Sequence, residues 1–179
     1  MDNLDWTQSI FEMIDLRSFS NLWYWIALAV MWSSASHWIL GVPFDMVQRA
    51  GRYGGQAEID LSDMVRINTN RIFYVVKYTG TWLTGITMAL LTGLALLGWY
   101  YDVEFAQAVF LLMAPMSIVG ALNVWTGSKI RNRGAEGEDL RRLMGQHRFM
   151  TQGLGVISIF ITAMWGMYQN LLVVGPLGG

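Results

Sequence analysis

Four stretches of the chain carry no charged side chain: residues 18–44, 78–101, 105–128 and 149–179. A helix of about 20 apolar residues crosses the ~30 Å hydrocarbon core of a bilayer, and each stretch is that long. Only 14% of the residues are charged against 54% hydrophobic, whereas a soluble domain is about 25% charged. The chain lacks the polar residues to cover a water-facing surface. In hydrocarbon a backbone must satisfy its own hydrogen bonds, which favours helices. The sequence therefore predicts an all-α integral membrane four-helix bundle, a single transmembrane domain over residues 1–179. Its spans fall at about 22–42, 72–99, 105–127 and 150–174. Trp23, Tyr24, Trp25 and Trp38 flank the first span, and Trp99, Tyr100 and Tyr101 end the second, as interfacial aromatic belts do. Pro43 should stop the first helix and Pro115 kink the third.

The charges that remain are segregated, and this sets the orientation. Residues 43–71 hold Arg49, Arg52, Arg66 and Arg71, and Lys77 lies at the inner end of the second span. Residues 128–149 hold Lys129, Arg131, Arg133, Arg141, Arg142 and Arg148, six of the twelve Lys and Arg in the chain. Arg17 alone falls on the other side. The bias places both basic loops in the cytoplasm and both termini outside it. Asp2, Asp5, Glu12 and Asp15 make the start acidic, unlike a secretory signal. Trp6, Ile10 and Ile14 suit a short interfacial helix there, with a simple lead-in turn as the alternative.

Two ladders of small residues recur at near-helical spacing. One is Thr81, Gly85, Ala89 and Gly93, and the other is Ser158, Thr162 and Gly166. Such ladders let neighbouring backbones approach where lipid supplies no hydrophobic drive. Packing within the chain is the expectation, with a self- or partner contact as the alternative for the first. Asp60-Leu61 before Met64-Val65 is echoed by Asp139-Leu140 before Leu143-Met144. Each pair opens an amphipathic stretch leading into a span, as a parallel repeat would, although two amphipathic helix starts share such a pattern more often by chance. The second stretch sets Leu140, Leu143 and Met144 opposite Arg141, Arg142 and Arg148. That pattern suits a helix lying on the inner leaflet or docking a cytosolic partner. The surface expected to touch a partner or anionic lipid is Arg131, Arg133, Arg141, Arg142 and Arg148.

Candidates for chemistry are few. With no cysteine, disulfides, thiol nucleophiles and thiolate metal sites are excluded. His37 and His147 are the only histidines. On this topology they lie at similar depth near the cytoplasmic interface, so a haem or metal held between them is one reading. The other has His37 bonded to a neighbouring helix and His147 facing water among the arginines. Ser33, Ser34 and Ser36 precede His37, but no orienting acid completes a triad. The Gly51, Gly54 and Gly55 segment lacks the Lys-Ser/Thr ending of a phosphate loop. No Asp or Glu lies deep in a span, as ion-coupled transport usually requires. Lys77 is expected to snorkel to the nearby interface, with a pathway or counter-ion role as the alternative. Nucleic acid is not an expected partner, because acidic residues are interspersed among the basic ones. The leading expectation is a non-catalytic accessory or scaffold protein that engages a partner or anionic lipid through its basic loops. A small channel or carrier, and a haem- or metal-binding subunit, are the alternatives.

The segments Asp15–Trp25 (DLRSFSNLWYW), Ser36–Val47 (SHWILGVPFDMV) and Asp63–Asn68 (DMVRIN) resemble small alphaproteobacterial membrane proteins catalogued as a component of the SufBCD complex. The resemblance implies an accessory or membrane-docking role beside the iron–sulfur assembly (Suf) machinery. It brings no catalytic residues, and without cysteine this chain cannot ligate a cluster through thiolates.

Overall fold

The computed structural model describes residues 18–174, with side chains to residue 171. The expected interfacial helix on Trp6, Ile10 and Ile14 and both termini lie outside the described residues. Helix dominates what is described. A 3-10 turn, Ser18–Ser20, leads into α1 (Leu22–His37). Asn21 starts α1 by accepting the Trp23 N–H on its side-chain oxygen at 3.0 Å, which satisfies a donor the first turn would leave orphaned.

The first helix stops earlier than expected. It ends at His37, and the five residues up to Val42 leave the helical path. Trp38–Ile39 (β1) pairs antiparallel with Val42–Pro43 (β2). Leu40 (φ 53°) and Gly41 (φ 71°) form the turn between them, both left-handed, as a two-residue hairpin turn of this kind requires. A leucine is rarely found at such a φ. Here its side chain is fully buried, and Asn68 Nδ2 donates to the Gly41 carbonyl at 3.2 Å. Burial and the bridging amide hold the turn. With 16 residues, α1 is about 24 Å long, short of the hydrocarbon thickness.

The basic segments expected as loops are largely helical. α2 covers Phe44–Tyr53, and α3 covers Gln56–Ala95, running on as a π-helical turn through Leu96–Tyr100. Gly54 and Gly55, both at positive φ, make the break between them. α4 (Glu104–Arg133) continues through Pro115 and ends on Gly134 in the left-handed region, a common helix stop. α5 runs Gly137–Val174. Three helical segments, Gln56–Tyr100, Glu104–Arg133 and Gly137–Leu171, are long and apolar enough to cross a membrane.

The core divides in two. At the basic end, Ile39, Leu40 and Val42 of the hairpin pack with Val47 and Ala50 of α2, Leu61 and Val65 of α3, Ile130 of α4, and Leu140, Leu143 and Met144 of α5. Leu61 and Val65 of the first amphipathic stretch are therefore packed in one core with Leu140, Leu143 and Met144 of the second, while Met64 stays exposed. A second cluster joins Leu28 and Trp32 of α1 to Val119 of α4, with Leu112, Met116 and Leu154 against it.

Candidate functional site

The site is best found by asking which cations at the basic end already have a partner. Arg49 pairs with Asp45 at 3.2 Å and Arg66 with Asp63 at 3.0 Å, each within one helical turn. Arg141 is bound to Glu58, tying α5 to α3. Arg148 lies 4.0 Å over the Phe44 ring, and Arg131 5.1 Å over Phe73. Three of the five arginines expected as contacts, Arg131, Arg141 and Arg148, are thus engaged by the fold.

The remaining two converge. Arg133 and Arg142, with Lys129, line one cavity of about 240 Å³ between α4 and α5, together with Asp139 and Gln146. Lys129 and Arg133 are one turn apart on α4, and Arg142 and Gln146 one turn apart on α5, so each pair shares a helix face. Among the described residues, no carboxylate lies within ion-pairing distance of Lys129, Arg133 or Arg142. Three cations and one carboxylate leave the cavity positive. Lys129 Nζ sits 4.9 Å over the Trp125 ring, and Trp125 is 51% exposed. The cavity therefore opens one turn beyond an aromatic residue at the end of an apolar run.

The two histidines have different surroundings. His37 is exposed, its ring 5.8 Å from Trp38. His147 is 1% exposed, with Nδ1 hydrogen-bonded to Thr126 Oγ1 at 2.8 Å. It does not face water among arginines, because α4 covers it. Among the described residues, no three His, Asp or Glu side chains gather as a metal site would need.

The small ladders also differ in placement. Ser158, Thr162 and Gly166 are buried. A Cβ on Gly166 would meet Phe19 at 3.2 Å, and one on Gly155, along the same helix, would meet Trp32 at 2.8 Å. Gly85 and Gly93 would meet nothing within 4 Å. Thr81, Gly85 and Ala89 are exposed and Gly93 only partly covered, so none of the described residues packs closely on that ladder.

A buried node with no counterpart in the sequence reading centres on Gln107, 1% exposed. Its Nε2 donates to the Gly98 carbonyl at 2.7 Å and to Asp102 at 3.3 Å, and its Oε1 accepts from Trp165 Nε1 at 2.9 Å and Gln169 Nε2 at 2.5 Å. This ties the π-helical turn to α4 and α5 at the end opposite the arginines. A lone glutamine inside an apolar run was the signal available. Buried polar groups in hydrocarbon need partners inside the protein.

Comparison of the chain with known families, curated proteins and solved structures returns no match. What stands is a helical protein with three membrane-length apolar helices and one concentrated basic end.

Proposed function

We propose that this is a multi-pass protein of the bacterial inner membrane, its basic end cytoplasmic, acting as a non-catalytic accessory or docking subunit. One observation carries the reading: the amphipathic segments pack into a single core and leave Lys129, Arg133 and Arg142 outward with no carboxylate of the described residues bound to them. A preformed rigid platform with unspent positive charge suits recognition of an anionic surface. The resemblance to SufBCD-associated proteins makes the Suf assembly proteins the first partner to look for. Lacking cysteine, the chain would dock there rather than ligate a cluster.

The test is co-purification from native membranes in mild detergent, with Suf proteins followed by mass spectrometry. A stoichiometric complex that weakens in the Lys129→Gln/Arg133→Gln/Arg142→Gln variant is expected. A chain that runs alone under gentle conditions, at native expression, overturns the reading.

The small-channel alternative draws on a different observation. Gln107, Thr162, Ser158, Thr151 and the Thr126–His147 pair place buried polar groups along the interior from one end to the other. Trp32 seated against Gly155 interrupts that line with an apolar block. Solute flux into liposomes holding the purified protein, rising in Trp32→Ala, is the outcome this alternative requires.

A further inference from the structure

We propose that the cavity between α4 and α5 is a binding site for the phosphate headgroup of an anionic glycerophospholipid of the inner leaflet. The inference deepens the docking reading above and rests on its membrane orientation. It names one ligand for the unspent charge.

Three arguments converge on a lipid. The first is charge. Arg49, Arg66, Arg131, Arg141 and Arg148 are ion-paired or stacked, whereas Arg133 and Arg142 meet Lys129, itself stacked on Trp125 but not ion-paired among the described residues, in one cavity with one carboxylate, Asp139. A phosphate diester carries the charge this arrangement lacks. Guanidinium groups bind phosphate oxygens in pairs, and a lysine adds a point charge. Gln146 supplies a neutral donor from the same helix face as Arg142.

The second is depth. Lys129 is one turn past Trp125, and its ammonium is held over that ring. Tryptophan in membrane proteins settles at headgroup level. Its placement sets the cavity where a phospholipid phosphate lies, a position a soluble phosphate compound has no reason to prefer.

The third is what lies below the cavity. On the membrane side of Lys129, Ile118 and Trp125 share its face of α4 and are exposed. On the membrane side of Arg142, Phe149 and Val156 share its face of α5 and are 77% and 69% exposed. Acyl chains descending from a phosphate in the cavity would lie along these residues. Basic pockets between membrane helices on the cytoplasmic side commonly hold acidic headgroups.

The experiment uses the full chain, purified in mild detergent and delipidated. Affinity is measured by titrating mixed micelles of phosphatidylglycerol or of phosphatidylcholine, with soluble glycerol phosphate as a third arm. Wild type should bind phosphatidylglycerol well above the other two. Lys129→Gln/Arg133→Gln/Arg142→Gln should lose on the order of 100-fold. Removing equal charge elsewhere on the same end, Arg49→Gln/Arg52→Gln/Arg71→Gln, should change affinity less than about threefold, because screening confines charge effects to short range. Arg133→Lys/Arg142→Lys, which keeps the charge but removes the paired guanidinium contacts, should bind between wild type and the first triple variant, and circular dichroism with thermal unfolding verifies that each variant is folded.

Equal loss in the two triple variants overturns the proposal, since binding would then follow overall charge. So does equal binding of phosphatidylcholine, or glycerol phosphate binding as tightly as the lipid. If lipid selectivity holds but no protein partner co-purifies, the accessory reading fails and the lipid site stands. The reverse result removes the lipid site alone.

Discussion

The two halves of α3 belong to one helix and follow opposite rules. Its first turns bury Leu61, Val65 and Thr69 at four-residue steps against the basic-end core. From residue 70 to residue 97 it buries nothing. The contrast reflects the solvent. At the basic end water is present, so removing leucine and valine from it drives packing. The apolar half is long and apolar enough to cross a membrane, and where lipid solvates side chains, contact must come from close backbone approach or interhelical hydrogen bonds. α5 shows what that takes: Gly155 under Trp32, Gly166 under Phe19, and Trp165 and Gln169 on Gln107. The outer half of α3 has its ladder of small residues and no such partner among the described residues.

Substitutions act differently on the two halves, most severely at the basic end. Met144→Ala removes a fully buried side chain from the water-driven core. A loss of about 2–5 kcal/mol is expected, read as a fall in thermal midpoint and new protease cleavage between residues 43 and 71. If cleavage stays unchanged, the two basic segments do not form one core. Gly155→Leu forces a side chain into the Trp32 ring and should cost about 1–3 kcal/mol by overpacking. A Trp32→Ala/Gly155→Leu double variant should recover part of that loss.

Gln107→Leu strips the node at the opposite end and leaves Trp165 Nε1 and Gln169 without their acceptor. A loss of about 1–2 kcal/mol is expected, measured by unfolding in detergent, since interhelical hydrogen bonds in membranes are individually modest. The smallest effect belongs to Gly85→Leu, under about 0.5 kcal/mol for the chain by itself, as at other sites free of packing. Sedimentation of the same variant in detergent sharpens the point: a change in association state, with stability unmoved, would mean that another chain occupies the ladder.

Much of this architecture was legible in the sequence. The charge-free runs locate α3, α4 and α5, because a membrane-length helix needs little beyond length and apolarity. The end of α1 was not legible. It depends on Leu40 taking a left-handed φ, which a leucine adopts only when its surroundings hold it there. Nor was the union of the two amphipathic stretches. Periodicity shows that Leu61 and Val65 share a face, and that Leu140, Leu143 and Met144 do, but not which surface each face will meet. The candidate cavity was half visible. Arg133 and Arg142 stood out by charge, whereas the loss of Arg141 to Glu58 and of Arg148 to Phe44 required three dimensions. Lys129 drew attention only as a count toward orientation, and its seat over Trp125 gives it a position.

The hydrogen bond from Gln107 to Gly98 has a mechanical consequence. It pins one end of α3 to α4 at the π-helical turn, while the basic core clamps the other end. Between the two anchors the helix is a strut about 40 Å long, and among the described residues its side chains from 70 to 97 are exposed or only partly covered. A strut fixed at both ends does not tilt to follow a thinner or thicker bilayer, the usual accommodation of a single span. Bowing is the motion left to it, and a bow is greatest at mid-span, where Thr81, Gly85 and Ala89 lie.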